Sequence, residues 1–247
     1  MKAAPDAQLR LLDLQAVDTA VAQLKHRRAS LPETAKIKAA QAERSALSEQ
    51  VVAVRTRVSD LEVEQARSES DLEPVKARRE RNQKRVDAGE ISDPRALRSM
   101  LDEIEHLGRR IGDLEDAQLE VMERLEASQG ELAELTERRA ADDVTLRELL
   151  AQRDAAVGAI DAELAERATE RDVIARDIPT PLLDLYAKVA GKSGGLGAAP
   201  LRQGRCGGCQ LELTHADLAS YRAAAPDEVL RCEECNRILV RTPDSGL

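Results

Sequence analysis

The chain has 247 residues, a net charge of −9, two Tyr, and neither Phe nor Trp. A thick globular core needs rings and bulky side chains to fill it, so this composition excludes one large globule and favours thin helix–helix seams of Leu, Ile, Val and Ala. The acidic balance gives no overall attraction to nucleic acid or anionic lipid. No stretch approaches the ~18–20 apolar residues of a membrane span. The opening MKAAPDAQLR lacks the apolar core and cleavage site of a signal peptide, so a cytoplasmic protein with no membrane partner is expected.

Residues 1–178 read as a coiled-coil helical hairpin. A first helix, about 6–30, ends at Leu31-Pro32, with Ser30 placed to cap the next. In the following arm Leu47, Val51, Val54, Val58, Leu61, Gln65, Ser68, Leu72 and Val75 recur in steps of three and four, the 3.5-residue period of a seam. Pro74 marks a second break. The run VDAGEISDP, Val86 to Pro94, supplies the turn: Gly89 reverses the chain, Ser92 or Asp93 caps the next helix, and Pro94 fits its first turn.

The downstream arm repeats the pattern at Ile104, Leu107, Ile111, Leu114, Gln118, Val121, Leu125, Ser128, Leu132, Leu135, Arg139, Asp142, Leu146 and Leu149. Ten of these fourteen are Leu, Ile or Val, so the polar members fix register and bind nothing. Two long helices joined by a short turn fold back antiparallel. With the turn centred at residue 90, Pro32 falls opposite about residue 148, where the seam shifts phase to Leu150, Val157, Leu164 and Ile178. Pro74 falls opposite about residue 106, near Gly108 and Gly112. The expected fold is mostly α: a long, kinked antiparallel coiled-coil hairpin followed by a small β-type ribbon. His26 and His106 stand alone, without ligand or catalytic spacing.

Charge concentrates at the turn. Lys76, Arg78, Arg79, Arg81, Lys84 and Arg85 lie before it, and Arg95 and Arg98 just after it. Against Glu80, Asp87, Glu90 and Asp93 these eight leave the window 74–98 at +4. Three readings fit: a solvated face of i,i+4 pairs, a surface for phosphates, or a dock for an acidic protein.

Asp177-Ile-Pro-Thr-Pro181 stops the hairpin, and 179–195 reads as a short helix from Pro181 to about Ala190 followed by a Gly-rich tether. The AGKS run at Ala190–Ser193 invites a phosphate-loop reading. That motif needs a Gly where Tyr186 stands and a strand before it, so Gly191 is read as a helix C-cap.

Residues 196–247 hold all four cysteines, as Cys206-x-x-Cys209 and Cys232-x-x-Cys235, 22 residues apart. Two residues between thiolates let a tight turn aim both sulfurs at one ion, and two such turns complete a tetrahedron. Two disulfides or a redox pair are the alternatives; redox motifs come singly, at a helix start after a strand. Gly207 and Gly208 suit a tight first turn, and Asn236 tolerates the positive φ often required after the last cysteine. Strands are expected at Ala199–Arg205 and Arg237–Arg241, with a capped helix from Thr214 to about Ala224. Four thiolates leave no open position on the metal, so one zinc here is structural. His215 is the nearest other ligand type and reads as a surface helix residue.

Rod and ribbon together resemble a bacterial family of proteins with an N-terminal coiled-coil hairpin and a C-terminal C4-type zinc ribbon. The residues that carry the likeness are DPRALRSMLDEIEHLGRRIGDLEDAQLEVMERLE after the turn and CGGC … CEECNRIL in the ribbon. The resemblance implies zinc on Cys206, Cys209, Cys232 and Cys235. It also implies association with transcription or nucleic acid, or an adapter's contacts with a sigma factor or an export or secretion machine. Glu233 and Asn236 replace the family's usual Pro and Gly in the second box, which weakens any basic, nucleic-acid-facing surface there. Residues 197–247 carry six Arg and seven Asp or Glu, and Tyr221 is the single ring there. That offers little to phosphates or stacked bases. No carboxylate pair, nucleophile with its base, or enclosing core points to catalysis or a small-molecule substrate. The expected function is therefore a non-enzymatic zinc-binding adapter for protein partners, with direct DNA or RNA binding through the tip or the ribbon as the alternative.

Overall fold

A computed structural model describes all 247 residues. Five helices and four short strands follow one another: α1 (Pro5–Ala29), α2 (Pro32–Asp87), α3 (Pro94–Arg176), α4 (Thr180–Lys192), β1 (Ala198–Arg202), β2 (Arg205–Cys206), α5 (His215–Ala223), β3 (Leu230–Arg231) and β4 (Ile238–Val240). No helix is long and apolar enough to cross a membrane. The chain divides into two compact units, Lys36–Leu149 and Met1–Ala35 with Leu150–Leu247. The division does not follow the sequence boundary at 178, because α1 and the end of α3 pack with the ribbon.

In the unit Lys36–Leu149, α2 and α3 form the antiparallel hairpin. All nine upstream and fourteen downstream seam positions are buried or half-buried. Leu47, Val51 and Val54 pack with Leu132 and Leu135, and Val58 and Leu61 with Val121 and Leu125. Ser128 is buried and its hydroxyl donates to Arg124 O (2.8 Å), so a polar seam residue is satisfied within its own helix. At the turn Gly89 has φ +66, and Asp93 Oδ2 accepts from Ala96 N (3.0 Å), which makes Asp93 the cap.

Ion pairs flank the seam: Arg44 with Asp143, Arg57 with Glu131 (2.8 Å), and Glu64 with Arg124 (3.7 Å). Exposed pairs of this kind contribute about 0.2–1 kcal/mol each, so they report register more than they stabilise. The paired residue numbers total 187 or 188, which moves the opposite partners along this stretch about eight residues from a mirror centred on residue 90. Gly108 accordingly faces Arg79, whose Nε would lie 3.7 Å from a Cβ added at Gly108, and not Pro74. In the other unit, Leu31 and Thr34 line one groove with Arg153 and Val157, so the Leu31-Pro32 break faces these residues and not 148.

The break at Leu31-Pro32 is present; one other expected interruption and one expected cap differ. The helix runs through Pro74 without a break. Pro74 and Ser70, whose carbonyl loses its helical donor, are both exposed, so water can take that donor's place. Ser30 closes α1 and does not cap α2: its hydroxyl donates to His26 O (2.8 Å).

In the second unit the four strands form one sheet in the order β2-β1-β4-β3, with β1 parallel to β4 and the other pairs antiparallel. Strands of two to five residues cannot hold a sheet by themselves. One face packs on helices: Ala7, Leu11 and Leu14 of α1, Leu182, Tyr186 and Val189 of α4, and Ile178 share a core with Ala198, Ile238 and Val240. The first residues add backbone bonds, Ala3 N to Asp227 O (2.7 Å) and Val229 N to Met1 O (3.0 Å).

The stretch 193–197, expected as a tether, is bolted down. Gln15 of α1 is buried, and its Oε1 accepts from Gly197 N (2.7 Å) and Ala198 N (3.3 Å), with the Tyr186 hydroxyl oxygen 3.1 Å away. Its Nε2 donates to Gly195 O (3.0 Å). A Cβ at Gly197 would lie 2.8 Å from Tyr186 O, so only glycine passes this ring. Tyr186 donates its one hydroxyl proton to Asp18 Oδ2 (2.8 Å), while Asp18 accepts from Arg171 Nε (2.7 Å), joining α1, α3 and α4. Burial first, and the bond to Asp18 second, push the tyrosine's pKa far up. Gly191 lies inside α4; Gly194 (φ +67) and Gly195 (φ +91) make the turn instead, with Gly195 N donating to Ala190 O.

Replacing Gln15 by Leu leaves the Gly197 and Ala198 N–H groups buried and unpaired. The expected result is a loss of about 2–4 kcal/mol in unfolding free energy, read by urea titration. Proteolysis within 193–197 should accelerate in the same variant.

Candidate metal centre

Each cysteine pair sits on a knuckle of the same design. Cys206 ends β2, and Gln210 N donates to Cys206 O (2.8 Å); Cys232 follows β3, and Asn236 N donates to Cys232 O (2.8 Å). Both closing residues have positive φ, Gln210 at 65° and Asn236 at 60°. Asn236 is legible in sequence; Gln210 is not, since Gln carries no particular preference for that region. Gly207 and Gly208 serve close approach and not positive φ. A Cβ at Gly207 would meet Pro200 O at 2.9 Å, and one at Gly208 would meet Arg237 Cδ at 2.7 Å.

The knuckles face each other across the sheet. Cys206 Sγ lies 3.8 Å from Cys235 Sγ, and Cys209 Sγ lies 3.9 Å from Cys232 Sγ. All four sulfurs fall within 4.8 Å of one another and none is in a disulfide. A tetrahedron with zinc–sulfur bonds near 2.3 Å has edges of roughly 3.8 Å, so the sulfur cage has the size of a zinc ion's shell. Cys206 and Cys232 are buried within a second core that includes Leu201, Leu213, Tyr221 and Leu239, while Cys209 and Cys235 are half-buried. The helix between the knuckles, α5, starts in a capping box: Thr214 Oγ1 accepts from Asp217 N (3.1 Å) and Asp217 Oδ2 accepts from Thr214 N (3.2 Å). His215 is exposed on that helix and is not among the converging ligands.

As free thiols Cys206, Cys232 and Cys235 are unequal. Burial pushes Cys206 up, and pushes Cys232 up to about 12. Burial acts on Cys235 in the same sense, but hydrogen bonds from Arg237 and from neighbouring thiols outweigh it and bring Cys235 down to about 7. A metal must therefore displace at least the Cys232 proton at neutral pH.

Arg237 also serves the architecture. Its Nε donates to Leu196 O (3.0 Å) and its guanidinium to Ser193 O (3.1 Å), tying the second knuckle to the end of α4. This role, like that of Gln15, has no local pattern in the sequence.

The cations at the hairpin turn divide into two sets. Lys76 pairs with Glu115 (2.7 Å), Arg78 with Glu103, Lys84 with Glu80 (2.6 Å) and Arg85 with Glu90 (3.5 Å). Arg79, Arg81, Arg95 and Arg98 are exposed and have no carboxylate partner.

Residues 14–194 match the CT398-like coiled coil hairpin domain, and residues 205–239 match the C4-type zinc ribbon domain. A Mycobacterium tuberculosis protein, described as uncharacterized protein Rv2229c, is 35% identical with 98% of each chain covered. A solved structure from Mycobacterium smegmatis is 34% identical, with a TM-score of 0.84 over 98% of this chain and all of that one. CT398 from Chlamydia trachomatis shares the fold at 16% identity, with a TM-score of 0.67 over 96% of this chain and 98% of that one. The ribbon thus holds one structural zinc ion, and the four converging cysteines are the residues that fit it.

Replacing Cys232 by Ser should take the zinc content from one per chain to near zero, measured by atomic absorption, and abolish protection of the β1–β4 amides from hydrogen exchange. Helicity of 36–149 should persist. Zinc affinity should fall by at least about tenfold per pH unit of acidification below neutrality, measured by chelator competition; an affinity independent of pH would contradict the thiol assignments.

Proposed function

Because the chain belongs to the family of CT398-like coiled-coil hairpin proteins with a C4-type zinc ribbon, we propose that it is a non-enzymatic adapter that presents the hairpin and the ribbon to macromolecular partners. A zinc ion with sulfur on all four sides has no position for a substrate or an activated water. It shapes the ribbon and offers no Lewis acid.

The observation that carries the reading is at the turn. Four of eight cations there are neutralised by carboxylates of the same hairpin, and Arg79, Arg81, Arg95 and Arg98 are left for a partner. In a chain of net charge −9 a confined cluster of this kind suits an acidic protein surface, which needs only local complementarity. A long polyanion would run on into the chain's own negative field. The family resemblance supports a cytoplasmic setting in transcription or its regulation, with a sigma factor or an export component as the class of protein.

The test is a variant with Arg79, Arg81, Arg95 and Arg98 all changed to Glu. These residues are exposed, so the fold and zinc content should be retained. In cross-linking mass spectrometry from cells, partner proteins attached within 74–98 should be lost from the variant. Anisotropy titrations with single-stranded RNA and duplex DNA should show no binding at about 0.1 M salt. Binding there that falls steeply with added salt and vanishes in the variant would replace the adapter with a nucleic-acid-binding protein.

A further inference from the structure

The end of α4 and the second cysteine knuckle enclose a pocket of about 260 Å3, whose polar lining is Lys188, Lys192, Ser193, Arg231 and Asn236. Three cations line it and no carboxylate does. Lys188 and Lys192 lie one turn apart on α4, are exposed, and take part in no ion pair. Arg231 is held in place by two bonds to Asn236 O, from Nε (3.2 Å) and Nη2 (2.7 Å), which leaves its other N–H groups to donate elsewhere.

Donors other than the lysines serve the chain where α4 ends. Ala190 O already accepts from Ser193 N and Gly195 N, and Ser193 O accepts from Arg237. Arg237 also bonds Leu196 O, so the two walls are fixed against each other before any ligand arrives. Three like charges collected in one preformed recess repel, and an anion placed among them removes that cost.

We propose that this pocket binds a phosphate group. A tetrahedral oxyanion supplies several acceptor oxygens to two ammonium groups, a guanidinium edge and the Ser193 hydroxyl, which a single carboxylate cannot match. The space suits a phosphate with at most a small attached group. Lys192 and Ser193 of the AGKS run thereby line an anion site at the C-terminal end of a helix, without the strand–loop–helix geometry of a phosphate loop. The inference does not depend on the hairpin turn or on the adapter reading, since none of its residues is shared with them.

Equilibrium dialysis of the full-length, zinc-loaded protein against labelled inorganic phosphate tests it, with AMP and adenosine as further probes. One saturable phosphate site per chain, at about 1 mM or tighter, is expected. Adenosine should not bind. AMP binding tighter than phosphate identifies a phosphorylated small molecule as the source, and AMP binding equal to or weaker than phosphate identifies the free ion. Lys188→Ala and Lys192→Ala should each weaken phosphate binding by about tenfold or more with zinc content unchanged, and Arg98→Ala should leave it unaltered. Absence of saturable binding up to about 10 mM, or binding by both lysine variants as tight as that of the unchanged protein, would overturn the proposal.

Discussion

Sulfur must converge from two knuckles 22 residues apart before the carboxy-terminal sheet can exist. Its strands are two to five residues long, and residues 196–247 hold a single aromatic ring, Tyr221 on α5. Zinc supplies the cross-link that apolar burial alone cannot, and both buried cysteines double as core side chains beside Leu201 and Leu239. The opposite face of the sheet then becomes available to α1 and α4, whose apolar residues need a partner. Metal binding and helix packing therefore stabilise the two faces of one thin sheet.

This arrangement changes what the ribbon is. It is not a module on a flexible tether. Gln15 accepts from Gly197 N and Ala198 N and donates to Gly195 O, and Arg237 returns two bonds from the knuckle to the end of α4. Movement of the ribbon against α1 would leave several buried polar groups without partners, each costing about 1–3 kcal/mol. The protein consequently presents the knuckles and α4 as one rigid surface, which is what a preformed contact site requires.

Much of this was legible from residue order, and the misses share a cause. The seam is a local property: apolar side chains three and four apart must lie on one helix face, so every named seam position proved buried or half-buried. The cysteine spacing is equally local, because the knuckle is made by four adjacent residues. Long-range partners carry no such periodicity. Ala7, Leu11 and Leu14 form a visible stripe, but nothing in their spacing says that a sheet more than 180 residues away covers them. Gln15 beside that stripe resembles a register-fixing polar residue, and Tyr186 resembles any ring on a short helix. Hairpin register failed for a related reason: a mirror drawn from the turn assumes arms of equal path, whereas the Arg57–Glu131 and Glu64–Arg124 pairs fix it some eight residues away. Proline 74 shows that a residue unable to donate still fits a helix where its orphaned carbonyl reaches water.

X-ray absorption at the zinc edge of the purified protein probes the sulfur cage most directly. One zinc per chain surrounded by four sulfurs at about 2.3 Å is expected. A nitrogen or oxygen neighbour in that shell would mean that the four cysteines do not close the site, and the assignment of the zinc to structure alone would fail.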